Sequence, residues 1–255
     1  MSWDPGQYLR FADLRLRPAL DLLARVELEG AGTVVDLGCG PGNVTRLIAR
    51  KFPHAEVIGI DSSAAMLAKA AETPSTVTWR EGDIGAFAPA RPVDILYSNA
   101  ALQWLDGHEA LFPRLLQAVR PGGILAVQMP RNHAAPSHAE MNAIAANGPW
   151  AAKLGPVLRP SPVAAPEVYY DLLAPQAASI DIWETIYGQV VQGDDPVVQW
   201  TRSTSLRPVI DALAEPELGQ FLAEYRARMA AAYPKRADGT NFFPFRRLFM
   251  VAVRK

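Results

Sequence analysis

Residues 33–43 read Thr33-Val34-Val35-Asp36-Leu37-Gly38-Cys39-Gly40-Pro41-Gly42-Asn43, and the rest of the chain is best read outward from them. The run opens β-branched and apolar and reaches an acid, the pattern of a short strand buried on both faces. Three glycines follow at alternate positions, where the backbone can turn tightly and approach a ligand without Cβ clashes. Beyond them, Val44, Leu47 and Ile48 recur at helical spacing, predicting a helix over 44–52. Strand, glycine turn and helix form the opening unit of an open α/β sheet, which binds ligands outside the carboxyl ends of its strands.

The same alternation continues on the C-terminal side. Strands are predicted at 56–60, 76–80, 93–98 and 123–128, and helices at 64–71 and 111–119, with Arg120-Pro121-Gly122-Gly123 as a turn. Strands joined by crossover helices pair in parallel, so the fold class is α/β, a doubly wound and mostly parallel sheet with helices on both faces. Residues 130–175 are rich in proline and aromatics and too apolar for a linker, which predicts a largely helical insertion. A strand returns at 179–187, helices follow at 208–213 and 216–233, and a last strand at 247–253 completes the sheet edge. The expected organisation is a lid segment and first helix over 1–30, a ligand-binding core over 31–129, a helical insertion over 130–178, and C-terminal strands and helices over 179–255 that complete the sheet and an acceptor pocket.

Composition narrows the function. Across 255 residues, 25 Lys and Arg face 26 Asp and Glu for a net charge of -1, so no basic surplus exists for a nucleic-acid backbone or a lipid surface. One cysteine, Cys39, precludes an internal disulfide and a multi-thiolate zinc site. His54, His108, His133 and His138 lack ligand spacing, so no metal is expected. Asp4, Arg10, Asp13, Arg15 and Arg17 stand where a signal peptide needs an apolar run, and no stretch is long and apolar enough to span a membrane. A soluble, cytoplasmic protein with no obligate protein partner is expected.

Four clusters fall at successive strand ends. The glycines read GxGxG, with Asn43 where a dinucleotide fingerprint places its third glycine. Asp36 precedes them, and an acid there repels a diphosphate and attracts a cationic ligand. Asp61, followed by Ser62, ends the second strand about 20 residues beyond Gly40, the place for a carboxylate that accepts from both ribose hydroxyls. Asp83 and Ile84, after the third strand, suit an adenine amino edge and ring face, and Asn99 ends the fourth. Cys39 between glycines is expected for its size and not as a nucleophile.

Residues 36–43, Asp61, Asp83, the strand ending in Asn99 and the turn at 120–123 together resemble the class I S-adenosylmethionine-dependent methyltransferases. Flanking text is similar to the trans-aconitate methyltransferase family within them: Trp3-Asp4-Pro5, Tyr8-Leu9, Ser98-Asn99-Ala100-Ala101-Leu102-Gln103-Trp104-Leu105, Ala126-Val127-Gln128-Met129-Pro130, Tyr169-Tyr170-Asp171, Asp181-Ile182-Trp183, Leu206-Arg207-Pro208 and Arg247-Leu248-Phe249. The similarity spans nearly the whole chain. It departs at Arg246, where the family more often has proline, and over 131–165.

That resemblance implies a Rossmann-like seven-stranded sheet, S-adenosyl-L-methionine as cofactor, S-adenosyl-L-homocysteine as product, and a small tricarboxylate as partner. It implies cofactor binding by Tyr8, Asp36, Gly38, Gly40, Asn43, Asp61, Ser62, Asp83, Ile84 and Asn99, and the aromatic N-terminal segment with Trp3 and Tyr8, which has no strand partner, is expected to fold over the cofactor as a lid. A carboxylate of pKa near ~4 is already ionised, so no general base is nominated. The acid's other carboxylates need anchors, for which arginine forks are suited. Candidates are Arg17, Arg207, Arg246 and Arg247, with Trp104, Tyr170 and Trp183 as walls or donors. Another small carboxylic acid or a phenol as acceptor, a nicotinamide dehydrogenase, and a non-catalytic cofactor-binding module are the alternatives at this stage.

Overall fold

The computed structural model describes residues 12–158, 161–202 and 204–255. In chain order these form α1 (Ala12–Ala24), β1 (Thr33–Leu37), α2 (Asn43–Lys51), β2 (Glu56–Asp61), α3 (Ala64–Ala71), β3 (Thr78–Glu81), β4 (Val93–Asn99), α4 (His108–Gln117), β5 (Val119–Pro130), α5 (Pro136–Asn147), α6 (Ala151–Leu154), α7 (Pro166–Leu173), β6 (Ala177–Gln192), α8 (Pro196–Arg202), α9 (Arg207–Ala212), α10 (Glu217–Ala232) and β7 (Thr240–Arg254). The seven strands make one sheet in the order β3-β2-β1-β4-β5-β7-β6. β1 pairs in parallel with β2 and β4, β2 with β3, and β4 with β5, while β7 runs antiparallel to β5. This is the expected mostly parallel, doubly wound sheet.

The strand order reverses at β1, and the register carries the carboxyl ends into line: Asp36 pairs with Gly59 and Tyr97, Asp61 with Glu81, and Asn99 with Gln128. A ligand crevice opens at such a switch point. The run TVVDL is buried from Val34 to Leu37, because helices cover both faces of a parallel strand.

The chain divides into two compact units. One comprises residues 16–130, 162–185 and 247–255 and holds a core that includes Leu37, Leu96, Phe112, Leu115, Leu125 and Met250. The other comprises, among the described residues, 12–15, 131–158, 161, 186–202 and 204–246, with its own core around Trp150, Trp200, Phe221, Tyr225 and Phe243. Each fully buried aliphatic or aromatic side chain contributes about 1.5 to 3 kcal/mol to its own core.

Several boundaries differ from the sequence reading. β5 begins at Val119, ahead of the expected turn: Val93 pairs with Val119 and Ile95 with Ile124, so the Pro121-Gly122-Gly123 segment bulges out of a continuing strand. Pro121 has no N–H for the ladder, Gly122 takes φ 73°, and a Cβ on Gly123 would lie 2.5 Å from the Asp94 carbonyl oxygen. β6 and β7 are longer than expected, with Pro244 inside β7 obscuring its first half. Helix α8 was not expected: Val197, Val198, Trp200 and Thr201 are all buried, which erases the amphipathic period. In α2 the buried positions are Thr45 and Ile48, with Val44 and Leu47 half-buried. Among the described residues, no helix is long and apolar enough to cross a membrane.

Candidate active site

The glycine loop is held from beneath by the second strand. Gly38 N and Cys39 N both donate to the Ile60 carbonyl, over 2.8 and 3.0 Å. Gly40 N donates to Asp61 Oδ2 over 2.8 Å, and Ser63 N to Asp61 Oδ1 over 2.9 Å. Gly38, Gly40 and Gly42 take φ of 75°, 53° and 76°, left-handed values that favour glycine. A Cβ at Gly38 would stand 2.2 Å from that of Ala101, and one at Gly42 would stand 2.4 Å from Trp79 Cη2. At Gly40 it would meet nothing within 4 Å. Gly38 and Gly42 are therefore packing glycines, and Gly40 borders open space.

Sequence reasoning missed the side chains that set this loop. Arg46 donates to the Pro41 carbonyl at 3.0 Å, to Asn43 Oδ1 at 3.2 Å and to the Ala70 carbonyl at 3.2 Å, and its guanidinium sits 5.9 Å from the Trp79 ring centroid. Thr45 Oγ1 donates to Asp36 Oδ2 over 2.6 Å. Both residues lie in the first turn of α2, which the apolar periodicity passes over because they are polar.

Asp36 is 2% exposed. Burial pushes its carboxyl up from 3.8 to about 7; the Thr45 hydroxyl opposes this, and the neighbouring Asp61 charge adds to it. Burial, with Asp36 and Asp61 nearby, pushes the Cys39 thiol far above its ordinary value, so Cys39 is a poor nucleophile. Asp83 is exposed, with Oδ1 accepting from Gly85 N at 2.8 Å. Ile84 Cδ1 would lie 3.6 Å from a Cβ on Gly38, which puts this side chain against the loop. Asn99 Oδ1 is buried and meets no donor among the described residues. Ser62 is exposed beside Asp61.

The acceptor candidates divide. Arg247, in β7, is 5% exposed, and its Nη1 donates to Gln128 Oε1 over 3.3 Å. Arg17 and Arg246 are exposed, and Trp104 is 64% exposed after β4. Three other candidates have partners or neighbours of their own. Trp183 stacks on Phe249 with centroids 4.9 Å apart at 8°, and Arg25 stands 5.2 Å from its centroid, so the ring packs the sheet. Tyr170 lines a surface groove of about 550 Å³ with Glu167, Asp171 and Asp181, the last paired with Arg25 at 3.2 Å, and the Glu167 and Asp171 charges repel a polycarboxylate. The Arg207 fork is closed on Asp211, with Nε at 3.0 Å and Nη2 at 2.9 Å. Trp3 and Tyr8 lie outside the described residues.

The donor set fits a sulfonium nucleoside. Asp36, Asp61 and Asp83 are engaged in no ion pair among the described residues, and three acidic side chains without a cationic partner around a glycine turn suit a cationic ligand. The space beside Gly40 and the orphaned Asn99 oxygen are where such a ligand would make contact. Among the described residues, no group of His, Cys, Asp and Glu is arranged to hold a metal ion.

Residues 34–123 match a family model described as a methyltransferase domain. Over 253 residues, 99% of each chain, the protein is 53% identical to the trans-aconitate 2-methyltransferase of Azoarcus sp. (strain BH72). The chain belongs to the trans-aconitate 2-methyltransferase family. A second member, from Variovorax paradoxus (strain S110), is 47% identical over 257 residues, 100% of this chain and 99% of its own. Among solved structures, the family fold is shared with the YcgJ protein of Bacillus subtilis at 14% identity and TM-score 0.60, covering 94% of this chain and 99% of that one. It is also shared with phosphoethanolamine N-methyltransferase 2 of Haemonchus contortus, solved with S-adenosyl-L-methionine, at 18% identity and TM-score 0.56, covering 93% of this chain and 52% of that one.

Proposed function

We propose that this protein transfers the methyl group of S-adenosyl-L-methionine to one carboxylate of trans-aconitate, giving the monomethyl ester and S-adenosyl-L-homocysteine. The observation that carries this reading is the 53% identity, over 99% of both chains, to a relative of that name. When bound, S-adenosyl-L-methionine would supply a sulfonium methyl to a carboxylate oxygen, with the electron pair of the S–C bond left on sulfur. No proton moves.

The chain's own residues have to bind and orient. Asp36, Gly38, Gly40, Asn43, Asp61, Ser62, Asp83, Ile84, Asn99 and Tyr8 are assigned to the cofactor, with Tyr8 resting on the resemblance alone. Asp61 acts twice, holding Gly40 N and Ser63 N through one lone pair on each oxygen and leaving others for ribose hydroxyls. Arg247 is the first anchor for the acid, since a fork held inside a strand keeps its direction; Arg17 and Trp104 are secondary. Alignment of the kind these contacts provide is worth up to about 7 to 11 kcal/mol in favourable cases. A cytoplasmic setting accompanies the proposal, supported by the free, buried Cys39.

Mass spectrometry after incubating the protein with S-adenosyl-L-methionine and trans-aconitate tests the reaction. Monomethyl ester and S-adenosyl-L-homocysteine in equal amounts are expected. Turnover of other acids with none of trans-aconitate would overturn it.

A further inference from the structure

Gln128 is 0% exposed in β5, and its amide is oriented by its neighbour. A guanidinium has donors only, so the contact from Arg247 Nη1 at 3.3 Å requires the Gln128 oxygen on that side and turns the nitrogen away. That Nε2 is buried and meets no acceptor among the described residues. Across the ladder the register partner of Gln128 is Asn99, whose buried Oδ1 meets no donor. Register partners project from one face of a sheet, with Cβ atoms about 5 Å apart. A lone donor and a lone acceptor therefore sit side by side at the carboxyl ends of β4 and β5 without pairing to each other.

Buried polar groups are almost always satisfied, so two such orphans at a ligand-binding edge mark contacts that the bound state completes. They demand opposite chemistry. The Asn99 oxygen needs a donor or an electropositive group, which suits the cationic cofactor. The Gln128 N–H needs an acceptor, and the acceptor-rich component of the proposed reaction is the polycarboxylate.

We infer that Gln128 is a specificity residue for the acid: its Nε2 donates to a carboxylate of the acceptor while its Oε1 holds the Arg247 fork toward the same anion. This rests on the functional reading above. Glutamine does here what glutamate cannot, offering an oxygen to arginine and a donor to an anion from one planar group.

The test is titration of trans-aconitate into protein saturated with S-adenosyl-L-homocysteine, alongside steady-state kinetics, for wild type, Gln128→Glu and Gln128→Met. Gln128→Glu keeps a partner for Arg247 but replaces the donor by a charge that repels the acid. Its acid Kd and KM should rise about 10- to 100-fold, with S-adenosyl-L-homocysteine affinity and the thermal midpoint kept. Gln128→Met is close in volume, carries no charge, and should raise both about 10-fold, which preserves the test if the glutamate variant does not fold. Unchanged acid affinity in a folded variant, or an equal loss for cofactor product and acid, overturns the inference while leaving wild-type turnover intact. A wild-type protein that neither binds nor methylates trans-aconitate overturns the functional reading and the inference together.

Discussion

The backbone N–H of Gly40 donates to the carboxylate of Asp61 across 2.8 Å, so the residue assigned to the ribose also fixes the loop on which the cofactor is proposed to rest. The proposed ligand recognition and the observed loop geometry share one side chain. Ser63 N, on the other oxygen at 2.9 Å, extends the tie to the start of α3.

Asp61→Ala should accordingly cost more than a ribose contact. Loss of charged hydrogen bonds is expected to weaken cofactor binding by about 1 to 3 kcal/mol, and the freed Gly40 and Ser63 amides should lower stability by about 1 kcal/mol. Calorimetric titration and denaturant unfolding read the two losses separately. An unchanged cofactor dissociation constant would refute the assignment.

The glycines should fail in different ways. Gly38→Ala forces a Cβ to 2.2 Å from Ala101 Cβ at φ 75°, so destabilisation of at least about 2 kcal/mol is expected, visible as a lower denaturation midpoint. Gly40→Ala has free space and should cost about 1 kcal/mol of left-handed strain, with most of its effect on cofactor affinity. Equal stability losses in the two variants would contradict this division.

Asp36 makes stability fall as pH rises. Its carboxyl titrates near 3.8 when unfolded and at about 7 when folded, so between these values the native state holds a proton that the unfolded chain has lost. The contribution is fully present below 3.8, is lost on the way to about 7, and is flat above that. It amounts to as much as about 4 kcal/mol. Asp36→Asn keeps an acceptor for Thr45 without the titration, and its stability should lack this slope. Denaturant unfolding at pH 5 and pH 8 provides the measurement, and parallel changes in the two proteins would exclude the effect.

Arg247 and Trp183 should separate cleanly. Arg247→Ala is expected to raise KM for the acid with cofactor affinity spared; equal losses in both would indicate a folding role. Trp183→Ala removes a ring stacked on Phe249 and should lower stability by about 3 kcal/mol with KM unchanged once the protein is folded.

How legible each part was follows from the range of the interactions that determine it. Thr33 to Asn43 announced strand, turn and helix because burial on both faces of β1 and positive φ at the glycines are local demands written in residue type. The alternation after it announced the parallel sheet and, since strand ends follow from strand lengths, placed the acids at 36, 61 and 83 at or just beyond the carboxyl ends of β1, β2 and β3. Helix α8 was hidden because burial all round leaves no period, and the β5 bulge was hidden because Pro121 and the glycines read as a terminus.

By itself, then, the sequence determined the fold class, the cofactor and the family, all of which depend on chain order and short-range chemistry. The tertiary structure alone decided which partners the acceptor candidates meet, and the proposed choice among them rests on those partners. Trp183, Tyr170 and Arg207 look as suitable as Arg247 in one dimension. Only packing closes the first on Phe249, sets the second among acids and the third on Asp211, and gives Arg247 the Gln128 oxygen across β5 and β7. An arginine's role depends on which partner lies within about 3 Å of its fork, and pairing between strands distant in sequence sets that distance.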